Sequence, residues 1–150
     1  VQLSLGYPKE EDSVDILKRY ITDTPMEHIQ PVCTAKELLE MMAAVKTVYV
    51  HSEVYRYIIK LAEATRSHQA IALGISTRGC IALARLAQSF AAMEQRDYVT
   101  PDDVKRLAPF VFNHRLLFRG SQRSVSSQKI MEEILSSVPV PVEEWKQTAQ

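Results

Sequence analysis

The sequence has few of the residues that build tight turns, disulfide scaffolds or metal sites. It contains 150 residues but only four glycines and two cysteines. So few glycines disfavour a β-sandwich, which needs many tight turns, and favour helices. Cys33 and Cys80 lack metal-ligand spacing, so we expect reduced thiols in a cytoplasmic protein, although one long-range disulfide stays open as an alternative.

An excess of either charge is also missing, and so is any long apolar run. Lysine plus arginine and aspartate plus glutamate number 18 each, which gives a formal net charge of zero. Nucleic-acid-binding domains usually have a basic excess, so we do not expect nucleic acid as a partner, although a local basic patch stays open. No segment has the length and apolarity of a membrane span, and no leader is visible, so we expect no membrane partner.

The familiar motifs of catalysis and metal binding are absent too. The sequence has no G-x-x-x-x-G-K-[ST] loop, no H-E-x-x-H, no paired Cys-x-x-Cys and no G-x-S-x-G. The acid pairs lie in helix starts or on exposed faces, where dipole pairing and solvation explain them. We therefore expect that this chain alone is not an enzyme and holds no metal. The histidines lack ligand spacing, and we interpret all four as surface or capping residues: His28, His51, His68 and His114.

Helical periodicity dominates what is present. Apolar residues at helical spacing, with start and stop signals, predict an all-α helical bundle of about six helices. Val1 to Leu5 alternates and predicts a short N-terminal strand without a partner in this chain, which we interpret as belonging to a neighbouring domain. Arg119 to Ser127 predicts an exposed, mobile loop, and Val138 to Pro141 an extended tail. The predicted helices cover about residues 9–20, 34–46, 52–67, 76–95, 100–115 and 128–137.

The turn that opens the fourth helix is the candidate functional site. Ser76, Thr77 and Arg78 stand where unpaired backbone N–H groups and the positive end of the helix dipole favour an anion. An arginine in that first turn is unfavourable for helix stability alone, because the first turn prefers aspartate or glutamate. The arrangement therefore predicts a phosphate-binding site.

Four motifs in order resemble the C-terminal lid domain of MoxR-type AAA+ ATPases. The resemblance implies that residues 1–22 are the end of the nucleotide-binding core, with its last strand and the hinge, and that residues 23–150 form the helical lid. The start Leu5-Gly6-Tyr7-Pro8 and the Val-Pro-Val-Pro tail also fit the family. The motifs are Thr65-Arg66-x-His68, Leu73-Gly74-x-Ser76-x-Arg78, Arg96 to Val104, and His114-Arg115-Leu116.

In this family the arginine at the start of the lid helix is the sensor-2 residue, and the resemblance gives that role to Arg78. Arg78 would contact the nucleotide phosphates during catalysis, in its own subunit or in a neighbour, with Ser76 and Thr77 beside it. The family usually has proline before this arginine and alanine after it, whereas this chain has Thr77 and Gly79. Glycine costs about 1 kcal/mol of helix propensity relative to alanine, so we expect a softer helix start.

The resemblance also implies roles for residues outside this turn. Ile16 and Tyr20 would pack on the adenine base, with ordinary core packing as the alternative. Arg66 and His68 match the family, but C-terminal helix capping explains them as well.

For the whole protein, the resemblance implies a hexameric, chaperone-like ATPase that uses ATP and Mg²⁺. The phosphate loop and the Mg²⁺ ligands would lie upstream of this chain, and partners would include proteins with von Willebrand factor A domains. Two other classes stay open: a helix-turn-helix module that binds DNA, and a stand-alone helical protein-interaction module in which Arg78 is only a surface residue.

Overall fold

A computed structural model describes residues 1–119 and 127–141. Six α-helices account for most of the described part, and each lies within three residues of its predicted bounds, which confirms the all-α fold class. Two 3₁₀ turns, Pro25–His28 and Asn113–Arg115, and two short strands, β1 (Ile71–Leu73) and β2 (Leu117–Phe118), complete it. The helices are α1 (Glu10–Thr22), α2 (Ala35–Val45), α3 (Ser52–Ser67), α4 (Thr77–Met93), α5 (Pro101–Phe112) and α6 (Ser127–Ser137).

The chain divides into two compact units, one of residues Val1–Gln2 with Ala43–Gln150 and the other of Leu3–Met42. The predicted domain boundary after residue 22 falls inside the second unit and stays a prediction. Among the described residues, no helix combines the length and the apolar character that crossing a membrane requires.

The smaller unit contains α1 and most of α2, and no residue of either helix is buried. Local signals explain where these helices start. Glu10, Glu11 and Asp12 occupy the first turn of α1, where the helix dipole favours negative charge. At α2, Glu37 accepts from the backbone N–H of Thr34 at 2.7 Å and donates its own backbone N–H to the Thr34 hydroxyl at 3.2 Å. These bonds form a capping box, which the T-x-x-E spacing of Thr34 and Glu37 predicts.

The predicted N-terminal strand is not formed in the described part of the chain. Residues 1–9 have no regular secondary structure, and Val1, Leu3 and Leu5 are all exposed. Among the described residues, the one backbone–backbone hydrogen bond of residues 1–5 joins the Gln2 N–H to the Phe110 carbonyl at 2.9 Å. A strand needs a ladder of such bonds, so alternation alone does not make one.

The larger unit has a single hydrophobic core formed by α3, α4, α5 and α6. Helical spacing predicts two buried stripes, and every member is buried: Val54, Tyr57, Ile58, Leu61, Ala62 and Thr65 of α3, and Val104, Leu107, Ala108, Val111 and Phe112 of α5. The core also holds the tail residue Val138 and Val48, which precedes α3. Its most deeply buried large side chains are Tyr57, Leu61, Ile71, Ile75, Leu83, Val104, Phe112, Met131 and Ile134.

Two short pairings join segments that the sequence leaves as loops. β1 pairs antiparallel with β2, with Ile71 opposite Phe118 and an irregular register between Ile71 and Leu73. Arg119, just after β2, donates its backbone N–H to Ala70 and its Nε to the Ile71 carbonyl at 3.0 Å. We did not predict this sheet, because strands of two and three residues are too short to show alternation.

The connection between α4 and α5 is fixed by a partly buried ion pair, in which the carboxylate is buried and 25% of the Arg96 side chain is exposed. Arg96 binds both carboxylate oxygens of Asp103, at 2.8 and 2.7 Å, and Asp103 also forms a capping box with Thr100. Asp103 is only 6% exposed, so the expected solvation of this acid is wrong. Burial alone would raise the pKa of Asp103, but the hydrogen bonds from Arg96 and Thr100 outweigh it and lower the pKa below its ordinary value.

We predict that Asp103→Asn lowers the free energy of unfolding by about 3 kcal/mol at neutral pH, because it leaves the Arg96 charge without its partner. The Asp103 contribution is present above the ordinary carboxyl pKa of about 4 and is lost as the pH falls through the lower folded-state value. Urea unfolding at neutral and acidic pH measures both effects. The matched control is Asp102→Asn, an exposed acid in the same turn, with an expected loss of about 0.5 kcal/mol. Equal losses for the two variants would contradict the prediction.

Candidate functional site

The candidate site begins at Ile75, the buried residue that precedes the first turn of α4. The backbone N–H of Ile75 donates to the Thr65 hydroxyl at 2.9 Å, and its carbonyl accepts from Arg66 Nε at 2.9 Å. The Thr65 hydroxyl in turn donates to the Ala62 carbonyl at 2.6 Å, and Thr65 is completely buried. The end of α3 therefore holds both polar backbone groups of Ile75.

Two glycines allow the backbone to approach closely around Ile75. A Cβ atom added at Gly74 would lie 2.7–2.8 Å from Cγ, Cα and the backbone N of Arg66. A Cβ atom added at Gly79 would lie 2.7 Å from Cγ2 of the buried Ile75. Gly79 thus relieves a clash with Ile75, so the expected softer helix start is not its whole effect. Side chains would not fit at either position without movement.

Ser76 is the N-cap of α4, as predicted, and its hydroxyl accepts from the Gly79 N–H at 3.4 Å. The next two backbone N–H groups, of Thr77 and Arg78, find no acceptor among the residues that the structure describes. The Arg78 side chain is exposed and makes no hydrogen bond or ion pair within the same described ranges. These donors are therefore available to an anion, which fits a phosphate group.

Two more arginines lie against this helix start. Arg66 packs on Gly74, and the Cδ of Arg115 is 3.8 Å from the position of a Cβ at Gly79. The Arg115 Nε is buried and has no partner among the described residues. None of the three arginines is paired with a carboxylate in the described part, and the first turn of α4 contains no acid. The resulting positive field favours an anion.

The histidine and cysteine side chains occupy capping, surface or core positions of the described chain. His51 caps α3 by accepting from the Glu53 N–H. His68 accepts from the Ala70 N–H at Nδ1, while its Nε2 is 3.7 Å from Glu133 in a cavity of about 480 Å³ between α3 and α6. Both cysteines are free thiols, and burial raises the pKa of Cys80. Within residues 1–119 and 127–141, no group of three potential ligands could hold a metal ion.

Ile16 and Tyr20 lie on α1, in the smaller unit, whereas the α4 turn belongs to the larger one. They are one helical turn apart and 47% and 59% exposed. Core packing within the described part of the chain therefore does not account for them. Their proposed contact with a base stays a prediction.

Sequence reasoning missed the parts played by Thr65, Gly79 and Arg66. Thr65 was assigned to the apolar stripe of α3, yet its hydroxyl is the acceptor that anchors Ile75. A threonine at a core-facing helix position was the available signal, because a buried hydroxyl needs a partner. Arg66 was interpreted as a capping residue or a family match, and its bond across the turn to Ile75 had no local signal.

Four matches to known proteins bear on this site. A family model described as the AAA lid domain matches residues 63–134, which include the α3 end and the α4 turn. The uncharacterized protein YeaC of Bacillus subtilis (strain 168) is 34% identical over 144 residues, 95% of this chain and 45% of that protein. Chaperone MoxR1 of Mycobacterium tuberculosis is 25% identical over 151 residues, 93% of this chain and 40% of that protein.

Among solved structures, a candidate ATPase from Cytophaga hutchinsonii matches with a TM-score of 0.79 and 28% identity, over 92% of this chain and 45% of that one. The chain thus spans less than half the length of the relatives it matches. The fold and these matches define it as the lid region of an AAA+ ATPase. Together they support a fragment of MoxR type, as the four sequence motifs predict.

We predict that alanine is tolerated less well at Gly74 than at Gly79. At Gly74 the added Cβ meets backbone atoms of α3, and we expect a loss of about 3 kcal/mol in the free energy of unfolding. At Gly79 a similar clash with Ile75 is offset by about 1 kcal/mol of gained helix propensity, so we expect a loss of about 1 kcal/mol. Urea midpoints of the two variants measure the difference. Stabilisation by Gly79→Ala would show that Ile75 yields and that packing does not require this glycine.

Proposed function

We propose that Arg78 is the sensor-2 arginine of this AAA+ protein and binds the phosphates of ATP. The observation that carries the proposal is an exposed arginine in the first turn of a helix, where neither its side chain nor the backbone N–H groups of Thr77 and Arg78 have a partner among residues 1–119 and 127–141. A cation there is disfavoured by the helix dipole, by about 0.3–1 kcal/mol, unless an anion is present. A bound phosphate would remove this cost and satisfy the free donors together.

The chemistry available to this side chain is electrostatic. Arg78 would stabilise the negative charge that develops on phosphate oxygens during transfer, which is the main way proteins accelerate this reaction. The Thr77 hydroxyl and the backbone N–H groups of Thr77 and Arg78 would add hydrogen bonds to the same anion. By the family resemblance, the Mg²⁺ ligands would belong to the nucleotide-binding core of the whole protein. The described residues contain no group of three His, Cys, Asp or Glu side chains that could hold a metal ion.

Ile16 and Tyr20 would contact the adenine base. Both are exposed apolar side chains on α1, and their i, i+4 spacing places them next to each other on one face of the helix. A flat base could cover this surface, which is otherwise open to water in the described part of the chain.

We infer that the lid couples the ATP cycle to remodelling of partner proteins, as the name of the relative Chaperone MoxR1 suggests. Binding of phosphate by Arg78 would draw the lid toward the nucleotide as a rigid body. Gly6, with φ of 69° and no atom near the position of a Cβ, is the expected hinge. A cytoplasmic, hexameric ring and partners with von Willebrand factor A domains belong to the same proposal.

We predict that Arg78→Ala in the full-length protein lowers the rate of ATP hydrolysis by a factor of about 10² to 10³, because one donor to the developing charge is lost. Steady-state phosphate release measures the rate, and circular dichroism checks that the helices remain. The matched control is Arg85→Ala, an exposed arginine two turns later on α4, which we expect to leave turnover within twofold. Unchanged turnover in Arg78→Ala would refute the sensor-2 role and favour an interaction module.

A further inference from the structure

We infer that Thr65 and Arg66 are positioning residues for Arg78, acting through the backbone of Ile75. This inference rests on the proposed phosphate-binding role of Arg78. Arg78 touches the anion in that proposal, whereas Thr65 and Arg66 determine where the first turn of α4 stands.

The two side chains hold one residue from both sides. Thr65 Oγ1 accepts from the Ile75 N–H and Arg66 Nε donates to the Ile75 carbonyl, each at 2.9 Å. These bonds fix the peptide planes before and after Ile75. The plane after it leads directly into the N-cap Ser76, and Arg78 follows two residues later. A shift of Ile75 would therefore shift the whole first turn.

The Thr65 hydroxyl has a fixed orientation. Its hydrogen is directed to the Ala62 carbonyl at 2.6 Å, so a lone pair is left for the Ile75 N–H. Thr65 and Ile75 are both buried, and water cannot replace this acceptor. Valine has the same shape as threonine but no acceptor, which makes Thr65→Val the informative change.

Arg66 makes a bond that a lysine could not copy. The donor is Nε, which lies in the planar guanidinium close to the chain, whereas the lysine ammonium sits at the end of a longer flexible stem. Close packing of Gly74 on Arg66 leaves the turn little room to adapt. Arg66→Lys therefore keeps the positive charge near the site and removes the Nε–H donor that bonds to the Ile75 carbonyl.

The test uses the full-length protein with Thr65→Val, Thr65→Ser and Arg66→Lys. ATP turnover and the affinity for a fluorescent ATP analogue are measured at a temperature where circular dichroism shows each variant to be folded. We expect Thr65→Val and Arg66→Lys to lower turnover roughly tenfold, because a small misplacement of a charge-stabilising group costs that much or more. Thr65→Ser keeps the hydroxyl and should stay within about twofold of the original protein. The matched control is Ser67→Ala, whose hydroxyl bonds only to carbonyls of α3 itself.

A second set of variants asks whether the effect passes through Arg78. In an Arg78→Ala background, Thr65→Val and Arg66→Lys should each change turnover by less than twofold, because the group they position is gone. A further tenfold loss in that background would show direct or independent action and overturn the inference. Normal turnover in the folded single variants, with Arg78→Ala still defective, would overturn this inference and leave the proposed role of Arg78 in place. Normal turnover in Arg78→Ala itself would instead remove the proposed function and the inference with it.

Discussion

The anchoring of Ile75 by the end of α3 is the contact on which the candidate site depends. One buried hydroxyl and one guanidinium nitrogen hold the N–H and the carbonyl of Ile75, and its side chain fills the space that Gly79 leaves open. Ser76 then caps α4 from a position that the hydrogen bonds of the preceding residue determine. The exposed arginine therefore owes its place to the buried Thr65 and Ile75 and to one guanidinium bond from Arg66, none of which uses the Arg78 side chain itself.

The start of α4 differs electrostatically from most other helix starts in the described chain. Four helices have an acid in the first turn: α1, α2, α3 and α5. The first turns of α4 and α6 have none. At α5, Asp103 is both the capping partner of Thr100 and the counter-charge of Arg96. The preference of a helix N-terminus for negative charge therefore explains how α5 is stabilised, and it also explains why an anion would stabilise the start of α4.

The sequence was informative wherever a signal is local. Helix bounds, the caps at Thr34, Ser76 and Thr100, and the buried stripes of α3 and α5 follow from spacing and from residues three or four positions apart. Pairings between distant segments carry no such signal, which is why β1 and β2 and the partner of Arg66 were missed. The alternation of Val1 to Leu5 does not produce a strand in the described chain for a related reason, because a strand needs a neighbouring strand to bond with. For the candidate site, the position of Arg78 was predictable, but the residues that hold it were not.

The bonds that shape the α4 turn close very short loops, of ten and nine residues, whereas Arg119 reaches Ile71 across 48. Closing a longer loop costs more chain entropy, so contacts near in sequence can form first. The α3 end, the turn and the start of α4 can therefore assemble as one hairpin of helices before α5 and α6 dock. The small sheet depends on the return of the chain after α5, so chain entropy favours its pairing after that hairpin has formed.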